Sequence, residues 1–106
     1  MSRVFFDNED RIVAKVTSPA DLSDMVCNEN AKSPEEIITL DGVSVFSLPC
    51  TVAVVYRYNE MGLVESTTVG RGLTVHYRYD NIGRLVEERD AKGRILKRYS
   101  YNISYK

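Results

Sequence analysis

The residues that could do chemistry are few, and their spacing does not assemble them. The one imidazole is His76. It sits among strand-forming residues, on the face opposite the neighbouring tyrosines. A register drawn on paper sets it beside Glu88 and, on the preceding strand, Glu65, which makes it a cross-strand polar contact rather than a general base. Reviving an enzyme would take an activity abolished by His76→Ala. Cys27 and Cys50 stand 23 residues apart and belong to no Cys-x-x-Cys or Cys/His cluster. They read as reduced thiols, with a disulfide as the alternative and a metal site shared with His76 a thin third. No serine lies in a nucleophile elbow and no cysteine has a local histidine. Glu65, Glu87, Glu88 and Asp90 each have an Arg or Lys nearby, the pattern of a solvated, charge-paired sheet face. Asp21, Glu35 and Glu36 fall where helix N-termini favour acids, and the glycines lack the spacing of a phosphate cradle. The sequence therefore predicts no catalytic residue, no metal and no cofactor, hence no enzyme.

The tyrosines are the ambiguous feature. Six of the seven form the pairs Tyr56/Tyr58, Tyr77/Tyr79 and Tyr99/Tyr101, which puts a row of phenol rings on one sheet face. Aromatics interleaved with Arg can stack on sugars or unpaired bases; the alternative is that the rings pack as core beneath a neighbouring element. Bulk numbers narrow the choice. The chain has 106 residues, 43% hydrophobic and 27% charged, with a net charge of −1. That is one domain of ordinary globular composition, without the excess of cations that nucleic acid or an anionic membrane surface selects. No apolar run is long enough to span a bilayer, and the start, MSRVFFDNEDR, lacks a secretory signal. A cytosolic protein, export by a signal-independent route and a piece of a longer chain all remain open.

The elements that position these residues repeat. Tyr58 and Gly62 recur as Tyr79 and Gly83, and Gly72 as Gly93, each 21 residues on. A third unit starts at Tyr99-Ser100-Tyr101-Asn102. A degenerate copy, Phe6-Asp7-Asn8 then Arg11-Ile12-Val13, opens the chain with Asp10 where glycine is expected. Segments between turns are strand-length and rich in Val, Tyr, Thr, Leu and Ile. Asp80-Asn81-Ile82-Gly83-Arg84 and Asp90-Ala91-Lys92-Gly93-Arg94 suit a type I turn closed by a left-handed glycine bulge, so Asp80, Gly83, Asp90, Gly93 and Gly62 are the structural turn residues. Aligning the two turns faces Tyr79 with Leu85, Tyr77 with Glu87, Leu85 with Tyr99 and Glu87 with Lys97. Val69-Gly70-Arg71-Gly72 fits a two-residue turn. It sets Val64 between Tyr58 and Tyr77.

The expected fold is mainly β, an antiparallel meander of hairpins with one or two short helices. Residues 1–17 form an N-terminal hairpin, 18–50 a helix and loop insertion with a strand, and 51–106 the meander. Ser18-Pro19 and Ser33-Pro34 read as helix starts, predicting a helix over 19–28 and a turn or two after Pro34. Leu40-Asp41-Gly42-Val43 resembles a hairpin turn feeding a strand over 43–48, and Pro49 marks a loop or a sheet edge.

The pattern Tyr-x-Tyr-Asp-x-x-Gly-Arg-Leu, then Gly ten residues on, then Tyr, resembles the YD repeat of the Rhs and Tc-toxin families, shared by teneurins. Tyr77 to Tyr101 is a close match. Tyr56 to His76 is weaker, with Asn59 for the aspartate and Leu63 where arginine is usual. The resemblance implies a structural material that, in many copies, spirals into a β-shell around a toxic domain. Two and a half copies close no shell, and the proline- and asparagine-rich segment tied to autoproteolysis is missing. The resemblance therefore implies a fold element rather than an activity. An open meander ends on unpaired strands, and Tyr99, Tyr101, Ile103 and Tyr105 alternate along the last one, the candidate interaction surface. Either this edge pairs with a second copy or a longer Rhs-type repeat protein, giving a homo-oligomer or a mixed assembly, or the N-terminal hairpin covers it. An accessory or immunity-type protein of a toxin cluster, binding through residues 18–50, is the second functional expectation. A carbohydrate-binding module using the tyrosine face is the third.

Overall fold

The structure is a computed structural model that describes residues 1–28, 30–70 and 73–101. Its frame is one antiparallel sheet built from β1 (Ser2–Phe6), β2 (Ile12–Thr17), β6 (Val52–Tyr58), β7 (Val64–Val69), β8 (Leu73–Tyr79), β9 (Leu85–Asp90) and β10 (Ile95–Arg98). Those seven strands lie side by side in chain order, with β1 and β10 at opposite edges. The radius of gyration is 16.0 Å and the long axis 59 Å, against about 13 Å for a compact chain of this length. Elongation follows from the topology: each hairpin adds its strand to one side, and nothing curls the sheet back on itself.

One hairpin turn of the meander is replaced by residues 18–51. β2 and β6 pair directly, from Thr17 with Val52 to Ala14 with Val55, and the chain between them folds as a second layer on one face. That layer holds a small sheet of β3 (Val26–Cys27), β4 (Ile38–Leu40) and β5 (Val43–Ser44) and two 3-10 turns, Pro34–Glu36 and Val45–Ser47. Its mouth is tied shut by the Ser18 and Thr51 hydroxyls at 2.7 Å and by the N-terminal ammonium donating to the Ser18 carbonyl at 2.6 Å. The hydrophobic core lies between the layers. Leu22, Met25, Ile37, Ile38 and Val45 from the segment meet Phe5, Val13, Ala14, Val16, Ala53 and Val55 from β1, β2 and β6.

Several expectations change here. No helix forms over 19–28 among the described residues. Asp21 accepts from the backbone N–H and hydroxyl of Ser23, a local turn that competes with helix, and Val26 and Cys27 join the ladder with Thr39 and Ile38. Asp41 and Gly42 make the expected tight turn, both left-handed at φ 52° and 79°, as a two-residue hairpin requires. The strand after it stops at Ser44, whose hydroxyl caps the 3-10 turn at Phe46 N, and Val45 turns into the core. Val69 pairs with Leu73, so that connection is longer than the two-residue turn expected; Arg71 and Gly72 lie outside the described residues. The tyrosines are not core. Each paired one is half-buried or exposed, and all of the core sits on the other face of the sheet. No disulfide joins half-buried Cys27 to exposed Cys50. Among the described residues no helix is long and apolar enough to cross a membrane.

Candidate functional site

The repeat turns are the same device built four times. In the turn at 80–84, Asp80 N–H donates to the Arg84 carbonyl and Gly83 N–H to the Asp80 carbonyl. Asp80 Oδ1 accepts from the N–H groups of Ile82 and Arg84, and Oδ2 takes Arg84 Nε at 2.8 Å. Asp90 repeats this bond for bond with Lys92 and Arg94, and Asp7 with Glu9 and Arg11. Asn59 supplies the same backbone acceptor to Met61 and Leu63 without an ion pair. Gly62, Gly83 and Gly93 are left-handed at φ 81°, 85° and 83°; Asp10 takes the equivalent place at φ 60°, a conformation that costs a side chain about 1 kcal/mol. The N–H donors onto Asp7, Asp80 and Asp90 hold those carboxyls below their ordinary value, with the paired arginine adding to the shift.

Every such hairpin carries a bulge one residue into its return strand. Tyr79 pairs with Leu85 but Arg78 with Glu87, and Tyr58 with Val64 but Arg57 with Ser66. The extra residue corrects the paper register. Tyr77 faces Glu88 rather than Glu87, and a second bulge sets Lys97 opposite Glu88 and Arg98 opposite Glu87. Tyr99 donates its N–H to Val86 instead of facing Leu85, and its hydroxyl to Glu88. His76 sits between Ser66 and Arg89, away from both glutamates expected beside it. Glu87, 6% exposed, bonds Arg89 and lies 3.5 Å from Arg98; those arginines hold its carboxyl below the ordinary range.

The second tyrosine of each pair closes the unit. Tyr58, Tyr79 and Tyr101 donate their hydroxyls to the carbonyls of Ile12, Val64 and Leu85, the first strand residue after the preceding repeat's turn. The turn arginine then lies over the ring, Arg11 on Tyr58 and Arg84 on Tyr101, each at 4.6 Å, a cation–π contact. In the turn at 59–63 the arginine's position is taken by Leu63. Lys97 covers the Tyr99 ring at 4.9 Å.

Among the described residues no three His, Cys, Asp or Glu side chains group to hold a metal. A cleft of about 900 Å³ between the segment and the sheet contains Cys50 and Glu35 among Phe46, Leu48, Pro49 and Val52, with no imidazole. What the fold does present is an edge. All four residues of β10 are exposed, and the N-terminal hairpin that could have covered them pairs with β6 at the far side of the sheet. Tyr99 and Tyr101 continue that edge, Tyr99 half-buried and Tyr101 45% exposed. Ile103 and Tyr105 lie outside the described residues. The opposite edge, β1, exposes Ser2, Val4 and Phe6. The edge expected from the alternation of Tyr99, Tyr101, Ile103 and Tyr105 begins just past β10, the edge strand of the described residues; the β1 edge, which needed the placement of the hairpin beside β6, was not foreseen.

Residues 58–95 match the family described as RHS Repeat. No curated protein matches the chain. The matched window takes in the turns at 59–63, 80–84 and 90–94, and the hairpin at 7–11, outside it, has the same turn geometry.

Proposed function

With residues 58–95 an RHS-repeat segment, we propose that this chain is a non-enzymatic association protein that joins other β-sheets through its open strand edges. The observation that carries the reading is a seven-stranded sheet whose two edge strands, β1 and β10, have no outer partner among the described residues. An edge strand is a template of unpaired N–H and C=O groups that another strand can complete. Its two edges differ in chemistry. β10 carries Lys97 and Arg98, which repel the same edge of a second copy, whereas β1 has one cation, Arg3. Self-association therefore runs head to tail, β10 onto β1. Both strands run the same way in the sheet, so that joint is a parallel pair. A longer RHS-type repeat protein can offer a strand that runs antiparallel to β10 with acids facing Lys97 and Arg98, as Glu88 and Glu87 of β9 already do from the inner side. Glycan binding is disfavoured by the occupied ring faces of Tyr58, Tyr99 and Tyr101.

Light scattering over a concentration series tests the reading. Tyr99 N–H points inward to Val86, so by alternation Ser100 N–H points outward. Ser100→Pro removes that outward donor and leaves the inner ladder intact. The intact chain is expected to gain mass with concentration. At about 1 M salt, where contacts between charged faces are screened, Ser100→Pro is expected to hold it at the monomer. A monomer for the intact chain at every concentration would contradict self-association through the edge.

A further inference from the structure

Charge along this chain is sorted by element. The segment 18–51 carries six acids, Asp21, Asp24, Glu29, Glu35, Glu36 and Asp41, against one base, Lys32. Residues 73–101 carry seven arginines and lysines against four acids. The near-neutral total conceals this polarity.

It is also sorted by face. Directly paired residues of an antiparallel ladder share a face. From β6 outward the pairing runs Val55, Thr68, Thr74 in one row and Arg57, Ser66, His76, Arg89 in the next. Arg78, Glu87 and Arg98 form a third row. These rows lie on the face that carries the segment, because Ala53 and Val55 are core residues beneath it. The segment's apolar core contacts are with β1, β2 and β6, and Ser66 and Thr68 of β7 are still buried on this face. Cover therefore extends to β7, and the far part of the face, over β8 to β10, is open. The open part displays His76, Arg78 and Arg98, with Arg89 half-buried among them. Its one acid in those rows, Glu87, is already paired with two of the arginines.

We infer that the open half-face is the docking surface for residues 18–51 of a second copy, forming a two-fold dimer in which each acidic segment roofs the partner's cationic half-sheet. The geometry closes. A two-fold axis parallel to the strands, at mid-height of the segment layer, turns one sheet over the other so that the two segments sit side by side between the sheets. The contact is isologous, each copy supplying one acidic segment and one cationic half-face. It uses the face and not the edge, so it stands independently of the edge association proposed above and leaves β1 and β10 open.

A charge swap tests it. His76→Glu with Arg78→Glu makes the half-face acidic; both side chains are exposed and neither makes a side-chain ion pair described above. Asp24→Lys with Glu36→Lys makes the segment more basic, again at exposed positions. With the edge closed by Ser100→Pro, the chain is expected to scatter as a dimer at about 0.01 M salt and as a monomer at about 1 M salt, since screening shortens the reach of charge tenfold. Each swap variant alone, in the same Ser100→Pro background, is expected to be monomeric at low salt, and an equimolar mixture to recover the dimer. A low-salt monomer for the Ser100→Pro chain, either variant keeping the dimer alone, or a mixture that stays monomeric while both variants keep a native circular dichroism spectrum would each overturn the inference.

Discussion

At the scale of single residues, the turn aspartates are the most repeated interaction in the molecule. Each receives two backbone N–H groups and an arginine, and each is held below its ordinary pKa by the first of these. A carboxyl with a depressed folded pKa contributes stability that is fully present above the unfolded value, about 4. That contribution is lost as the pH falls through the folded value. Asn59 shows that an amide can serve the backbone donors without titrating. The triple substitution Asp7→Asn, Asp80→Asn, Asp90→Asn is therefore expected to flatten the fall of Tm between pH 5 and pH 2, as read by thermal melts. Its cost at pH 7 is the charge-dependent part of the N–H contacts together with the three arginine pairs, which are largely solvated, so the variant melts lower at pH 7 and approaches the parent at low pH. Glu87, also depressed, leaves a residual slope. An acid limb unchanged by the triple variant would show that the turns do not set it.

At the scale of elements, the segment 18–51 and the first three strands of the sheet stabilise each other, because all of the core lies between them. Ile38 is fully buried at its centre. Truncating such a residue removes its transfer energy and leaves a cavity, about 2–5 kcal/mol, so Ile38→Ala is expected to lower the urea midpoint sharply, whereas Ile82→Ala, 73% exposed in a turn, is expected to change little. Equal effects would mean that the segment is not the core partner. The hairpins were legible in the sequence because Asp-x-x-Gly-Arg dictates both the turn and the left-handed glycine. Their register was not, since the bulge after each turn has no residue of its own to announce it; Glu65 and Val86 look like ordinary strand residues. The segment was misread for a related reason. Ser18-Pro19 and Asp21 are sound local helix signals, but with Leu22 and Met25 as the only buried residues over 19–28, the pairing of Val26 with Thr39 decides the outcome. The tyrosines failed as core because the layer that could cover them packs on the opposite face, a fact of topology that composition does not carry.

At the scale of the whole molecule, the sheet carries an acidic layer towards its β1 edge and an excess of cations towards its β10 edge, and the proposed function rests on those edges. β1 and β10 are the two edges of the seven-stranded sheet, and adding a strand to an edge needs only backbone complementarity. The central claim is that these edges are where association happens, and amide hydrogen exchange as a function of protein concentration tests it most directly. The account predicts that protection of residues 95–101 and 2–6 rises with concentration while that of the interior strands β6 to β8 stays constant. Edge amides that exchange at the same rate at every concentration over which the scattering mass increases would contradict it.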